Sequence, residues 1–151
     1  MTDLHMPELR DARPTDWDTV NRLLAESGLP VEDLDADRLE GFLVAEDGDD
    51  IIGLIGLEVF GTTGLLRSLV VAKDARRAGL GGKLVGSLES AAQTAGIKEL
   101  WLITIDAEEF FERQGFAIVD RENVPDTIRQ TDEFGTLCPG TACLMMKSLA
   151  D

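Results

Sequence analysis

The stretch from Leu65 to Thr94 reads LLRSLVVAKDARRAGLGGKLVGSLESAAQT, and we interpret the rest of the chain around it. Its first seven residues, Leu65–Val71, are mostly aliphatic and predict a buried strand. A polar turn follows, and apolar residues then recur at the spacing of an amphipathic helix. The helix face expected to point toward a core contains Leu80, Leu84, Val85, Leu88, Ala91, Ala92 and Ala95.

The turn between this strand and this helix has the features of an anion-binding site. The first amide groups of a helix have no intrahelical partners and lie at the positive end of the helix dipole. Gly79 and Gly81 have no Cβ, so a pyrophosphate could approach the backbone closely. Arg76, Arg77 and Lys83 would add positive charge nearby. The alternative is a surface turn with two solvated arginines.

Two common phosphate-binding motifs do not fit the turn. A Walker loop places Ser or Thr after its Gly-Lys pair, whereas Leu84 follows Gly82-Lys83 here. A dinucleotide-binding G-x-G-x-x-G fingerprint counted from Gly79 requires a glycine where Leu84 stands. Both motifs are therefore excluded by the same leucine.

The pattern that remains is Arg76-x-x-Gly79-x-Gly81, after a strand that ends in Leu69-Val70-Val71. It resembles the acetyl-CoA-binding motif of the GNAT acetyltransferases. The resemblance implies that the loop and helix N-terminus bind the pyrophosphate of acetyl-CoA, while the strand contacts the pantetheine arm and acetyl group. The residues assigned to acetyl-CoA in this way are Leu69, Val70, Val71, Arg76, Arg77, Ala78, Gly79, Leu80, Gly81, Gly82 and Phe111.

The order of elements and the resemblance together predict an α/β (α+β) GNAT fold. It has a mixed central sheet of about six to seven strands flanked by helices. The predicted strands are Glu8–Ala12, Glu40–Glu46, Ile51–Phe60, Leu65–Val71, Glu99–Ile103, Phe116–Asp120 and Thr141–Leu149. The predicted helices start at Asp16 as N-cap, lie within Val31–Leu39, follow Gly79, and cover Asp106–Gln114. By family precedent the strands Leu65–Val71 and Glu99–Ile103 are parallel and splay apart to admit acetyl-CoA.

Length and charge restrict the classes of protein and partner. The 151 residues predict a single GNAT domain over residues 1–151, with residues 1–6 as a loose tail. The net charge is −15, which argues against nucleic acid or an anionic membrane as partner. The charge resembles that of proteins from salt-in halophiles, although a non-halophilic protein with an acidic surface is the alternative. Without a membrane-spanning run or a signal-like start, we expect a cytoplasmic protein.

The catalytic residues are less clear than the acetyl-CoA site. Many GNAT enzymes contain Asn-x-x-Ala-x-x-x-Tyr-x-x-x-Gly-Phe, in which the tyrosine protonates the sulfur of CoA. Ala107, Gly115 and Phe116 match this pattern. Thr104 replaces the asparagine and Phe111 the tyrosine, and the chain contains no tyrosine at all. The resemblance therefore leaves the general acid open.

Several groups are candidates for the chemistry that remains. Ser68, Thr104, a cysteine or a water could protonate the leaving thiolate, or the thiolate could leave unassisted. Glu58 is the candidate general base, and a solvated strand carboxylate is the alternative. Arg67 could bind a carboxylate of the acceptor, or it could be a surface arginine.

The segment Leu102–Phe116 resembles N-acetylglutamate synthase domains and the ArsN-type acetyltransferases of arsenic-resistance operons. The region from Asp120 to Cys143, which contains Leu137-Cys138-Pro139, favours the ArsN-type enzymes. This implies a small-molecule amine acceptor in an arsenic-resistance role, whereas glutamate acetylation is the enzymatic alternative. Family members often dimerise, so a homodimer is expected.

The two cysteines, Cys138 and Cys143, leave a further alternative open. Their thiolates could bind a soft centre such as trivalent arsenic, with Cys138 as the substrate-binding residue. They could equally be one loop thiol and one buried small apolar side chain. No zinc site is expected, because the ligands for one are missing. A non-catalytic acyl-CoA-binding or arsenic-sensing module is the hypothesis from another class.

Overall fold

A computed structural model describes residues 8–27, 35, 39, 41–48, 50–72, 79–104, 107–129 and 143–149. The strands are β1 (Glu8–Asp11), β2 (Phe42–Asp47), β3 (Asp50–Phe60), β4 (Thr63–Val71), β5 (Glu99–Thr104), β6 (Ala117–Val119) and β7 (Cys143–Ser148). The helices are α1 (Trp17–Glu26), α2 (Leu80–Thr94), α3 (Glu108–Arg113) and α4 (Asp126–Arg129). Short 3₁₀ turns cover Pro14–Asp16 and Arg121–Asn123.

The described strands form a seven-stranded mixed sheet in the order β1-β2-β3-β4-β5-β7-β6. Within it β4 and β5 are parallel, with Thr63–Leu65 opposite Glu99–Trp101. The parallel register ends there, although β4 continues to Val71 and β5 to Thr104. The predicted mixed sheet of six to seven strands with a parallel strand pair is therefore confirmed.

Contacts between residues divide the chain into two compact units. The first contains Met1–Gly56 and Ser68–Leu88, and the second contains Leu57–Arg67 and Glu89–Asp151. Because β3, β4 and α2 each contribute residues to both, the division follows neither the sequence halves nor the element boundaries. The expectation of a single domain stays a prediction.

Each unit has its own apolar core. In the first unit the buried side chains of α1 pack against those of the strands, a cluster that contains Val20, Leu23, Leu24, Leu39, Phe42, Val44, Leu54 and Val70. In the second unit the cluster contains Leu65, Trp101, Val124, Ile128 and Leu144. The predicted stripe of α2 is buried at Leu80, Leu84, Val85, Leu88 and Ala92. Ala91 and Ala95 are exposed, contrary to expectation, because the larger leucines contribute most of the apolar area that α2 buries.

The element boundaries differ from the predictions by a few residues. Strand β4 begins at Thr63 because the preceding turn is confined to Gly61 and Thr62. Helix α4 and the 3₁₀ turn before it were not predicted, since each is a single turn without a helical period. The predicted tail at residues 1–6 lies outside the described residues, as does the predicted Val31–Leu39 helix apart from two positions. In the described part of the chain, no helix is long and apolar enough to cross a bilayer.

An ionic cluster determines how the chain enters α1. Arg10 on β1 donates Nη1 to Asp16 Oδ2 at 2.9 Å and Nη2 to Asp16 Oδ1 at 3.0 Å. Its Nε also donates to Glu46 Oε1 on β2 at 3.1 Å. Asp16 precedes α1 as predicted, but its side chain makes no capping hydrogen bond to the helix. Its Oδ2 instead accepts the backbone N–H of Arg13 at 2.7 Å, so the ionic cluster replaces the expected cap.

The cluster makes Asp16 a pH-sensitive contributor to stability. The hydrogen bonds from Arg10, followed by the one from the Arg13 backbone, lower the pKa of Asp16 below its usual 3.8 despite partial burial. A depressed pKa contributes stability above the unfolded-state value, and this stability is lost as the pH falls through the folded-state value.

We predict that Asp16→Asn lowers the free energy of unfolding at pH 7 by about 1–3 kcal/mol, because a charge-assisted bond is lost. The difference between wild type and variant is expected to shrink as the pH falls below about 4, because the unfolded carboxyl binds a proton there while the folded one keeps its charge to a lower pH. Urea unfolding at pH 7 and pH 3 measures both quantities. An equal difference at the two pH values would contradict the assignment.

Candidate functional site

The helix predicted to bind phosphate starts immediately after Gly79. Gly79 has a φ of 73°, a left-handed conformation that glycine adopts without strain. A Cβ at this position would meet nothing within 4 Å, so the space beside the backbone is open. The N–H of Lys83 donates to the carbonyl oxygen of Gly79 at 3.2 Å. The amides of residues 80–82 therefore precede the first intrahelical bond of α2.

These amides lie at the positive end of a 15-residue helix. No acidic side chain lies in its first turn, so nothing there offsets the partial positive charge. The open space and the helix dipole together fit the phosphate groups of a nucleotide-containing substrate.

Gly53 on β3 determines how closely this end of α2 packs on the strands. A Cβ on Gly53 would lie 3.1 Å from Leu84 Cδ1 and 3.2 Å from Leu80 Cδ2. It would also lie 3.2 Å from the carbonyl oxygen of Val70. The missing side chain therefore lets the first turns of α2 lie against β3, beside the end of β4. Sequence reasoning missed this residue, although a glycine inside an aliphatic strand is a signal of close approach.

One residue within β4, just before its last three residues, has an unusual backbone conformation. Among the described non-glycine residues, only Ser68 has a positive φ, at 61°. Such a conformation costs roughly 1–2 kcal/mol for an L-residue. Ser68 is nevertheless buried, and Leu69–Val71 continue the strand beyond it. Backbone strain of this kind is found most often at functional sites, which agrees with the predicted role of these residues.

In the second unit, two predicted site residues lie beside each other: Arg67, predicted to bind the acceptor, and Glu58, the predicted general base. Arg67 Nη1 is 3.7 Å from Glu58 Oε2. The Arg67 side chain has no exposed surface, whereas that of Glu58 is 35% exposed. The surface position considered for Arg67 is therefore wrong. A sequence pattern does not show this pairing, since the two residues lie on different strands.

Thr104 lies before α3 and Phe111 lies within it, and each makes contacts that hold it in place. Thr104 Oγ1 accepts the backbone N–H of Ala107 at 3.1 Å, so this hydroxyl anchors the entry to α3. Phe111 is buried, with ring centroids 5.0 Å from Phe110 and 5.7 Å from Phe116 in edge-to-face geometry. The assignments of Thr104 to catalysis and of Phe111 to acetyl-CoA stay predictions.

Lys147 on β7 contacts the residue that ends α3 as its C-cap. Its Nζ donates to Glu89 Oε2 on α2 at 2.9 Å and to the carbonyl oxygen of Gln114 at 2.8 Å. It also lies 5.9 Å from the ring centroid of Phe116. A cation at the end of a helix is favourable, so this lysine fixes α3 at its C-terminus. No sequence motif indicated this role.

Several predicted site residues lie outside the described part of the chain: Arg76, Arg77, Ala78 and Cys138. Cys143 begins β7 opposite Thr104 and is half-buried. No group of three or more potential ligand side chains within the described ranges could hold a metal ion.

The sequence model of the acetyltransferase (GNAT) family matches residues 1–116, which include β1 to α3 and the turn before α2. The chain belongs to the GNAT acetyltransferase family. It is therefore an acyltransferase enzyme by family, as the Arg76-x-x-Gly79-x-Gly81 pattern predicted. An uncharacterized N-acetyltransferase of Chlorobaculum tepidum is 29% identical over 129 residues, which cover 80% of this chain and 81% of that protein.

Two solved structures have folds similar to that of this chain. N-acetylglutamate synthase from Neisseria gonorrhoeae, complexed with coenzyme A and N-acetyl-glutamate, has a TM-score of 0.85 and 20% identity. The match covers 99% of this GNAT chain but only 37% of that enzyme. Rv2747 from Mycobacterium tuberculosis, in complex with CoA and NLQ, has a TM-score of 0.79 and 21% identity, over 94% and 99% of the two chains. At these identities the likeness extends to the fold alone.

We predict that Gly53→Ala lowers the free energy of unfolding by about 1–3 kcal/mol, because the new methyl group overpacks Leu80 and Leu84. Gly86→Ala is the matched control, since Gly86 is exposed on α2 and a Cβ there would meet nothing within 4 Å. The control is expected to stabilise the protein by roughly 0.5–1 kcal/mol. Urea unfolding distinguishes the two, and a stabilising Gly53→Ala would show that α2 is not closely packed here.

The conformation of Ser68 gives a second stability test. Valine is branched at Cβ and tolerates a positive φ poorly, whereas glycine adopts one freely. We expect Ser68→Val to be less stable than Ser68→Gly by about 1–2 kcal/mol. Thermal and urea unfolding of the two variants measure this difference. Equal stabilities would contradict a left-handed backbone at Ser68.

Proposed function

We propose that this chain is an acetyl-CoA-dependent N-acetyltransferase that acetylates the amine of a small molecule. The observation that carries the proposal is the first turn of α2. In a chain of this family, left-handed Gly79 is followed by the amides of residues 80–82, with open space beside them. Arg76, Arg77 and Ala78 complete the proposed pyrophosphate site on the basis of the sequence pattern.

Acetyl-CoA supplies an activated thioester when it is bound. The proposed transfer forms a bond between the acceptor nitrogen and the carbonyl carbon and breaks the bond between that carbon and sulfur. The products are the N-acetylated amine and CoA, with one proton released from the acceptor ammonium. In this scheme Leu69–Val71 orient the thioester, and a backbone N–H of this segment stabilises the negative charge on the carbonyl oxygen.

The proton transfers are assigned to side chains with suitable chemistry. Glu58 is the proposed base, supported by its position on β3 with Oε2 at 3.7 Å from Arg67 Nη1 and by a side chain that is 35% exposed. Ser68 and Thr104 are the proposed donors to the thiolate. Thr104 accepts a hydrogen bond from Ala107, and a hydroxyl that accepts one bond still has a proton to donate. Phe111 takes the place of the family's tyrosine and would contact acetyl-CoA only through its ring.

Two acceptor classes extend the proposal. An arsenic-containing amine is supported by the ArsN-like pattern near Cys138, which would bind it. An amino acid is supported by the fold-level likeness to N-acetylglutamate synthase, and Arg67 would then bind the acceptor carboxylate. We further propose a cytoplasmic homodimer without nucleic acid or membrane partners, in keeping with the net charge of −15.

Calorimetry of acetyl-CoA binding, in molar potassium chloride to screen the acidic chain, tests the proposal. We predict that Gly81→Glu weakens binding at least about tenfold, because a carboxylate then competes for the phosphate position. Gly86→Glu makes the same substitution farther along α2 and is expected to bind like wild type.

A glutamate in the first turn of a helix is itself stabilising, so weaker binding by Gly81→Glu would not reflect unfolding. Wild-type protein that is folded but does not bind acetyl-CoA would refute the proposed function. Equal losses in the two glutamate variants would refute the assignment to the first turn of α2.

A further inference from the structure

Lys147 on β7 joins parts of three elements within the second unit. Its Nζ donates to Glu89 Oε1 and Oε2 on α2, at 3.1 and 2.9 Å, and to the carbonyl oxygen of Gln114 after α3, at 2.8 Å. These three acceptor atoms match the three N–H donors of an ammonium group. The side chains of Lys147 and Glu89 are only 26% and 19% exposed, so the pair is partly shielded from salt. The lysine therefore links α2, β7 and the end of α3 by charge-assisted bonds.

Gly115 leaves the space that this lysine occupies. It follows α3 with a φ of 98°, a conformation that glycine adopts without strain. A Cβ on Gly115 would lie 3.1 Å from Lys147 Cε and 3.2 Å from Nζ. A larger residue here would displace the end of the lysine from the turn that follows α3. The lysine is therefore packed directly against the backbone of this turn.

The same turn holds Phe111. The carbonyl oxygen of Phe111 accepts the backbone N–H of Gln114 and that of Phe116, each at 3.0 Å. The ring centroids of Phe111 and Phe116 are 5.7 Å apart, and Lys147 Nζ lies 5.9 Å from that of Phe116. Phe111 is thus connected to Lys147 by backbone bonds through Gln114 and by ring contacts through Phe116. All of these residues belong to the second unit.

We propose that Lys147 is a positioning residue for acetyl-CoA, and that it acts by holding the end of α3 so that the Phe111 ring keeps its place. This inference rests on the proposed function, in which the Phe111 ring contacts acetyl-CoA. A phenyl ring has no hydrogen-bonding group, so only the packing around it determines its orientation. Lys147 itself does not contact the ligand and takes no part in the bond changes.

The test is calorimetry with the full chain and two ligands: acetyl-CoA, and adenosine 3′,5′-bisphosphate, which lacks the pantetheine arm and the acetyl group. We expect Lys147→Met to weaken acetyl-CoA binding about tenfold. The affinity for the bisphosphate, measured by displacement of acetyl-CoA, is expected to stay within about twofold of wild type. Lys98→Met is the matched control, because it removes an exposed lysine elsewhere in the second unit and is expected to bind both ligands like wild type.

A double-mutant cycle with Phe111→Leu tests whether the lysine acts through this ring. If it does, Lys147→Met is expected to weaken acetyl-CoA binding by no more than about twofold once Phe111 is already replaced. A residue with a merely structural role would lower the free energy of unfolding without this coupling in ligand affinity. If the bisphosphate does not bind to wild type, the cycle decides the question.

The other outcomes are distinguishable from one another. Wild-type affinity for acetyl-CoA in Lys147→Met would overturn the inference, and so would an equal loss for both ligands. Additive losses in the cycle would show that Lys147 does not act through Phe111. Folded wild type that does not bind acetyl-CoA would instead refute the proposed function. If Lys147→Met does not fold, Glu89→Gln removes the charge that holds the lysine and is expected to weaken acetyl-CoA binding at least about threefold, with an unchanged affinity again contradicting the inference.

Discussion

The packing of Leu80 and Leu84 against Gly53 is the contact on which the candidate site depends. It brings the first turns of α2 against β3, next to the end of β4. A Cβ added to Gly53 would lie only 3.2 Å from the carbonyl oxygen of Val70. A side chain there would push the helix away from the end of β4. This close contact helps to fix the position of the α2 N-terminus and of the open space beside Gly79 on the strands.

A second constraint is electrostatic. The chain has 29 acidic and 14 basic residues, and two of its arginines form ion pairs with carboxylates inside the fold. Asp16 and Glu46 surround Arg10 and raise its pKa, and Glu58 pairs with the buried Arg67. Pairing of this kind offsets part of the cost of burying a guanidinium, so both arginines are accommodated inside the fold.

Much of this fold could be predicted from sequence because the relevant signals are local. Aliphatic runs predicted the strands, and the leucine spacing of α2 together with the turn before it predicted the family. The pairing of Glu58 with Arg67 could not be predicted, because it depends on which residues of neighbouring strands lie side by side. The left-handed Ser68 was equally hidden, since serine carries no signal for a positive φ. The Lys147 contacts join residues more than thirty positions apart, and no single-sequence period encodes them.

Backbone amide chemical shifts of 15N-labelled protein, measured during titration with CoA and separately with pantetheine, test the central claim most directly. Pantetheine lacks the pyrophosphate but keeps the thiol arm. The account predicts that the amides of Leu80, Gly81 and Gly82 shift strongly with CoA and little with pantetheine, whereas Leu69–Val71 respond to both. Equal responses of the α2 amides to the two ligands, or none to CoA, would contradict phosphate binding at this helix terminus.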